Sequence, residues 1–198
     1  VYNKQDGAVV TKSYFQYVPD LSGEASEALL LTQFGTILDK IFGEIVRNSL
    51  GRPIWIPLSG GLDSRLILAK LVEHGHSNLT AFSFGLRGNH EIRRARKVAN
   101  KLGVKWLNLP SRVHQLTKLY SSTDRRRYSN LCFSGQSSPI WLDFEAIYIL
   151  KTRAMIPNDA LIINGFSGDF LFGGHIPDEL VKSPRLETLS DYIIAKHC

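Results

Sequence analysis

Leu30, Phe34, Ile37, Leu38, Ile41 and Ile45 recur at steps of three and four residues. That spacing puts them on one apolar face of a helix over residues 24–50, closed by Gly51 and Pro53. The period then changes. Ile54–Leu58 is a short apolar run with β-branched residues, the pattern of a buried strand, although Pro57 at its end withholds a ladder donor. A helix is expected from Leu62 to His74, with Gly75 as its cap. The alternation continues through a strand over Leu79–Phe84, a loop over Gly85–Asn89, a helix over His90–Leu102 and a strand over Val104–Leu109. Ser111–Ser138 is less regular. Pro139–Ala154 reads as a helix and Ala160–Asn164 as a fourth strand, followed by a glycine-rich loop over Gly165–Gly174.

Strands separated by single helices imply an α/β fold with a parallel sheet, and strands apolar along their length imply helices on both faces. Ligands of such sheets sit beyond the carboxyl ends of the strands, where the strand order reverses. If the first and fourth strands are neighbours there, the two glycine-rich loops face one crevice. Sequence alone leaves that adjacency open.

The first of these loops, Leu58-Ser59-Gly60-Gly61-Leu62-Asp63-Ser64, joins a strand to a helix. Glycines let backbone approach an anion closely. The unpaired N–H groups and dipole of the following helix favour a phosphate. Ser59 and Ser64 add hydroxyls. Asp63 is a poor neighbour for phosphate unless a cation lies between them, and magnesium takes such oxygen ligands. No lysine follows the glycines, so this is not the loop that grips a γ-phosphate.

Ser59-Gly60-Gly61-Leu62-Asp63-Ser64 resembles the S-G-G-x-D-S signature of the PP-loop ATP pyrophosphatases, which have an adenine nucleotide alpha hydrolase-like fold. The second loop, Asn164-Gly165-Phe166-Ser167-Gly168-Asp169-Phe170-Leu171-Phe172-Gly173-Gly174-His175, is similar to the loop of asparagine synthetases. Ser138-Pro139 and Ser64-Arg65-Leu66-Ile67 also resemble that family. The resemblance covers residues 24–182. Residues 1–23 are then an N-terminal extension, and 183–198 begin a C-terminal segment cut short here.

The resemblance implies ATP and magnesium, with ATP split between its α and β phosphates. A carboxylate would become an acyl-adenylate, and ammonia or an amine would then form an amide. Asp63 and Asp169 would share the metal and serve as the catalytic acids. Ser59, Gly60, Gly61, Leu62, Asp63 and Ser64 would hold pyrophosphate. Backbone around Leu58, Phe84 and Gly165 would line the adenosine site. Three departures stand out: Phe166 replaces the family's Glu, Phe170 replaces the Glu of its Asp-Glu pair, and His175 replaces its Tyr. A PP-loop enzyme modifying tRNA and a non-catalytic nucleotide-binding homologue are the alternatives. The family's glutaminase domain is not in this sequence, so a separate glutaminase subunit or domain could supply ammonia.

Weaker candidates are Glu91 for the rim of the site, Arg65 or Arg125–Arg127 for phosphate or an acidic substrate, and His175 for proton transfer. The bland reading of each is an ordinary surface residue.

Composition narrows the class. The 198 residues, 43% hydrophobic, suffice for one domain with its own core. No stretch approaches the roughly 20 apolar residues of a membrane span. Cys132 and Cys198 have no metal spacing and are too few for a disulfide framework, which suits the cytoplasm. Cys132 reads as a small buried apolar residue or an unremarkable thiol. The net charge is +6, and Arg93, Arg94, Arg96 and Lys97 cluster. Such a balance draws anions, but without an RNA-binding module or a thiolation cysteine pair a nucleic-acid partner is not expected.

Overall fold

The computed structural model describes residues 26–86, 88–133, 141–166 and 168. Its elements are α1 (Glu27–Ser49), β1 (Ile54–Pro57), α2 (Leu62–Glu73), β2 (Leu79–Leu86), α3 (His90–Lys101), β3 (Lys105–Ser111), α4 (Val113–Tyr120), α5 (Thr123–Cys132), α6 (Trp141–Thr152) and β4 (Leu161–Ile162). Contacts divide the chain after Leu38, within α1, into Val1–Leu38 and Asp39–Cys198.

In the first unit Leu29, Leu30, Leu31, Phe34 and Ile37 are exposed. In the second, Ile41 is exposed, Ile45 half-buried and Phe42 buried. The apolar stripe of α1 is therefore largely uncovered by the described residues, contrary to the burial its periodicity suggests. A 3.6-residue period reports which side of a helix is apolar, and not what covers it. Lys70 on α2 binds Asp39 at 2.7 Å and Glu73 at 3.0 Å. The hydrogen bond to Asp39, and then that to Glu73, holds the Lys70 ammonium above its ordinary pKa.

The four strands are all parallel, in the order β3-β2-β1-β4. Ile54 aligns with Leu79 on one side of β1 and with Leu161 on the other. Alternation along the strands gives the sheet two faces. Trp55, Phe82 and Leu109 lie on one face and pack with Ala146 and Leu150 of α6. Ala81 and its register partner Trp106 lie on the other face, where Arg96 of α3 stands over the Trp106 ring. The expected parallel α/β fold with helices on both faces is what forms. Ile54, Ile56, Leu68 and Leu71 are fully buried.

Three regions differ from the sequence reading. The irregular stretch after Ser111 contains two short helices, α4 and α5, and the arginine triplet lies in the second, with Arg125 over the Tyr120 ring. β4 is shorter than expected because its ladder ends where Ile163 N–H donates to the Trp55 carbonyl. Cys132, read as a buried apolar residue, is exposed.

Candidate functional site

β1 delivers the chain to the first loop and β4 delivers it to the second, and the two strands are neighbours. On the other side of β1, β2 carries Ser83 and Phe84 to the same end of the sheet. The order reverses at β1: β2 follows it on one side, while β4 returns on the other. A cavity of about 470 Å³ opens there. Its walls include Leu58, Ser59, Asp63 and Ser64 from the first loop, Phe84 from β2, and Gly165 and Phe166 from the second loop. Gly60, Gly61 and Leu62 belong to the same loop but do not line the cavity, and Leu62 is exposed. Asp169 and His175 lie outside the described residues.

The hydroxyls of the first loop mainly brace it. Ser64 Oγ accepts from Ser59 N–H at 3.1 Å, and Ser59 Oγ accepts from Gly61 N–H at 3.0 Å. The two hydroxyls lie 3.0 Å apart and share one hydrogen bond. Each carries one proton, so that pair leaves a single hydroxyl proton free for a ligand. The N-cap of α2 is Gly61, with no side-chain cap. The N–H groups of Leu62, Asp63 and Ser64, which helix geometry leaves without a carbonyl, have no capping oxygen among the described residues. Arg65 does not reach out to an anion through Nε, which donates to the Gly61 carbonyl at 2.8 Å.

The glycines have distinct tasks. At Gly60 a Cβ would lie 3.1 Å from the Glu91 Cα, so this glycine admits the start of α3 rather than a ligand. At Gly165 a Cβ would come to 2.9 Å from the Asp63 Cβ, and at Gly168 to 2.7 Å from Asp63 Oδ2. The second loop is thus laid directly on the Asp63 carboxylate. Asp63 is half-buried, and among the described residues that carboxylate has no hydrogen-bond or ion-pair partner. Among the described residues, the only carboxylates lining the cavity are Asp63 and Glu91, and the lining contains no Lys, Arg or His.

Several wall residues escaped the sequence reading. Asn89 caps α3 by accepting from Glu91 N–H at 2.8 Å and also lines the cavity; an Asn before a helix was the available signal. Ser83 is, with Thr80, one of two buried polar residues in an otherwise apolar strand. Its buried hydroxyl donates to the Leu58 carbonyl at 2.7 Å and accepts from Trp106 Nε1 at 3.0 Å. Ser83→Ala leaves both partners unsatisfied at the root of the first loop. We expect it to lower unfolding stability by about 1–3 kcal/mol, read by urea denaturation; an unchanged midpoint would show that the bridge contributes nothing.

Among the described residues no helix is long and apolar enough to cross a membrane. A chain of NH3-dependent NAD synthetase from Campylobacter jejuni, in complex with nitrate, superposes with a TM-score of 0.44 at 17% identity, covering 72% of this chain and 59% of that one. A probable asparagine synthetase [glutamine-hydrolyzing] of Acanthamoeba polyphaga mimivirus is 38% identical over 78 residues, which is 38% of this chain and 14% of that relative. The alignment therefore spans only a small part of that relative's length. Residues 38–188 match the profile of the family described as Asparagine synthase, and the chain belongs to that family.

Proposed function

We propose that this domain activates a carboxylate with ATP and passes the acyl group to ammonia or an amine. The observation that carries the reading is the Asp63 carboxylate, without a partner among the described residues and lying under Gly165 and Gly168 of the second loop at the start of α2. With no basic side chain among the described residues of the lining, a triphosphate there meets backbone amides, the side-chain amides of Asn89 and Asn164, and one hydroxyl proton of the serine pair. Its remaining charge calls for a metal. Asp63, with Asp169 of the second loop, would hold magnesium, which keeps few protein ligands and binds mainly through substrate phosphates. Bound there, it would neutralise charge on the departing diphosphate.

The substrate carboxylate oxygen attacks the α-phosphorus. The bond from that phosphorus to the bridging oxygen breaks, and pyrophosphate leaves toward the N–H groups of Leu62, Asp63 and Ser64. The amine nitrogen then attacks the acyl carbon, AMP departs, and the nitrogen loses a proton. The loop holds reactants in line and excludes water, which supplies most of such an acceleration. Apolar Phe82, Phe84, Ile92 and Ile147 suit the adenosine, with Leu58 and Gly165 backbone at its edge. A soluble cytoplasmic enzyme, with ammonia from a glutaminase subunit or domain, fits this reading.

Phe166, a cavity residue, favours a second reading, a nucleotide-binding homologue without ligase chemistry. The test is pyrophosphate release from magnesium ATP across a panel of carboxylates, followed by amide formation on adding ammonia. The ligase reading expects carboxylate-dependent release. ATP binding with no release on any carboxylate would replace it with the second reading.

A further inference from the structure

The open cleft between α3 and β3 has a chemistry that the proposed ATP reaction does not use. It holds about 460 Å³ and is bordered by Arg93, Arg96, Trp106, Asn89 and Asn108. β3 is the end strand of the described sheet, so this cleft opens at the sheet margin. Arg96 stands over the Trp106 ring, 5.9 Å from its centroid. Arg93 is hydrogen-bonded to His90 and keeps further guanidinium donors.

The outer face of α3 continues the same chemistry. At 100° per residue, Arg93, Arg94, Arg96, Lys97 and Lys101 fall within an arc of about 160°. His90 and Asn100 are the other residues of that arc, and it contains no carboxylate. Glu91 lies outside it, against Gly60. None of these cations has a carboxylate partner among the described residues. Such a helix works against itself. Arg93 and Lys97, and then Lys97 and Lys101, are like charges one turn apart, and Arg93 opposes the dipole in the first turn. A helix shaped by folding alone would alternate acids and bases on this face.

We propose that this face and its cleft bind single-stranded nucleic acid. The cations meet successive phosphates along the roughly 18 Å of α3. Trp106 and the Arg96 guanidinium offer flat surfaces for a base, and Asn89 and Asn108 offer amides to its edge. An acidic protein segment would use the cations but has no need of the indole or the amides. The sequence reading kept nucleic acid only as the substrate of a tRNA-modifying alternative, because the sequence shows no recognisable RNA module. It could not show that the cations share one face bordering an aromatic cleft. This inference is independent of the ligase reading.

The test is fluorescence anisotropy with a labelled oligouridylate of about 12 nucleotides, within the usual site sizes. Between about 50 and 200 mM salt the log–log slope should be near −2, for about three phosphates. Arg93→Ala with Arg96→Ala should weaken binding by about tenfold or more. The exposed pair Arg94→Glu with Lys97→Glu should weaken it without touching the cleft. Binding should quench tryptophan emission, and Trp106→Phe should remove the quenching. Saturating magnesium ATP should leave binding intact. Absence of binding at low salt, or binding unaffected by both pairs of substitutions, overturns the proposal. Displacement by ATP would put the strand in the other cavity, and equal competition by polyglutamate or by free UMP would make the ligand an acidic protein or a mononucleotide; each also overturns it.

Discussion

Asp63→Ala should lower carboxylate-dependent pyrophosphate release by about two to three orders of magnitude, the scale of losing one charge-stabilising group from a transition state. The folded state should barely notice. Asp63 makes no hydrogen bond or ion pair among the described residues, so its removal leaves none of them unsatisfied. The charge it removes is half-buried in the first turn of α2, so the desolvation relieved is offset by the lost interaction with the helix dipole. The variant should therefore unfold close to the wild-type temperature, while the reaction collapses. Ordinary structural aspartates behave the other way, because they cap or pair with something. A variant that releases pyrophosphate at the wild-type rate would remove Asp63 from the mechanism.

Gly168→Ala should produce the second large effect without removing any functional group. Its methyl would fall onto the Asp63 carboxylate, within 2.7 Å of Oδ2. No positive φ is at issue there, so the cost is purely steric. The carboxylate can swing away, since it is the end of a side chain. Swinging away takes it out of the position in which it would hold a metal. Overpacking of about 1–3 kcal/mol corresponds to a loss of roughly 5- to 150-fold in kcat/KM. Raised magnesium should restore part of that loss if the displaced carboxylate still reaches the ion. An alanine variant with undiminished kcat/KM would show that the second loop does not press on Asp63 during turnover.

Much of this site was legible because its first half is local. Strand, glycine loop and helix follow one another within about twenty residues, and each has its own signal: apolar β-branched residues, paired glycines, then helical periodicity. The adjacency of β1 and β4 was not legible. It depends on which strands pair across most of the chain, and periodicity carries no information about pairing. Gly168 illustrates the same limit, because the need for glycine there comes from Asp63, a distant neighbour in sequence.

Other misses have different causes. α5 is rich in Arg, Ser and Asn, so its sequence offers little apolar period. Its N-cap Ser122, which accepts from Arg125 N–H at 3.1 Å, was the readable sign. Glu145 is buried on α6 and accepts a hydrogen bond from Ser111. A carboxylate in that position looks like a surface residue until its partner on β3 is known. Leu30, Phe34 and Ile37 fail the opposite way, being apolar and exposed. Hydrophobic residues are common on surfaces, so an apolar stripe does not establish burial.

The fourth strand is short, and it joins the sheet late in the chain. Arg52 Nε reaches the Asp159 carbonyl, 107 residues onward, beside the two register pairs that fix β4 to β1. A ribosome would therefore release β1, β2 and β3 well before the crevice could exist. Closing so long a loop carries an entropic cost that grows only slowly with its length, but two register pairs return little against it. A nucleotide gripped from both sides would act as a clasp, fastening the last strand to the first and making occupancy of the crevice part of what completes the fold.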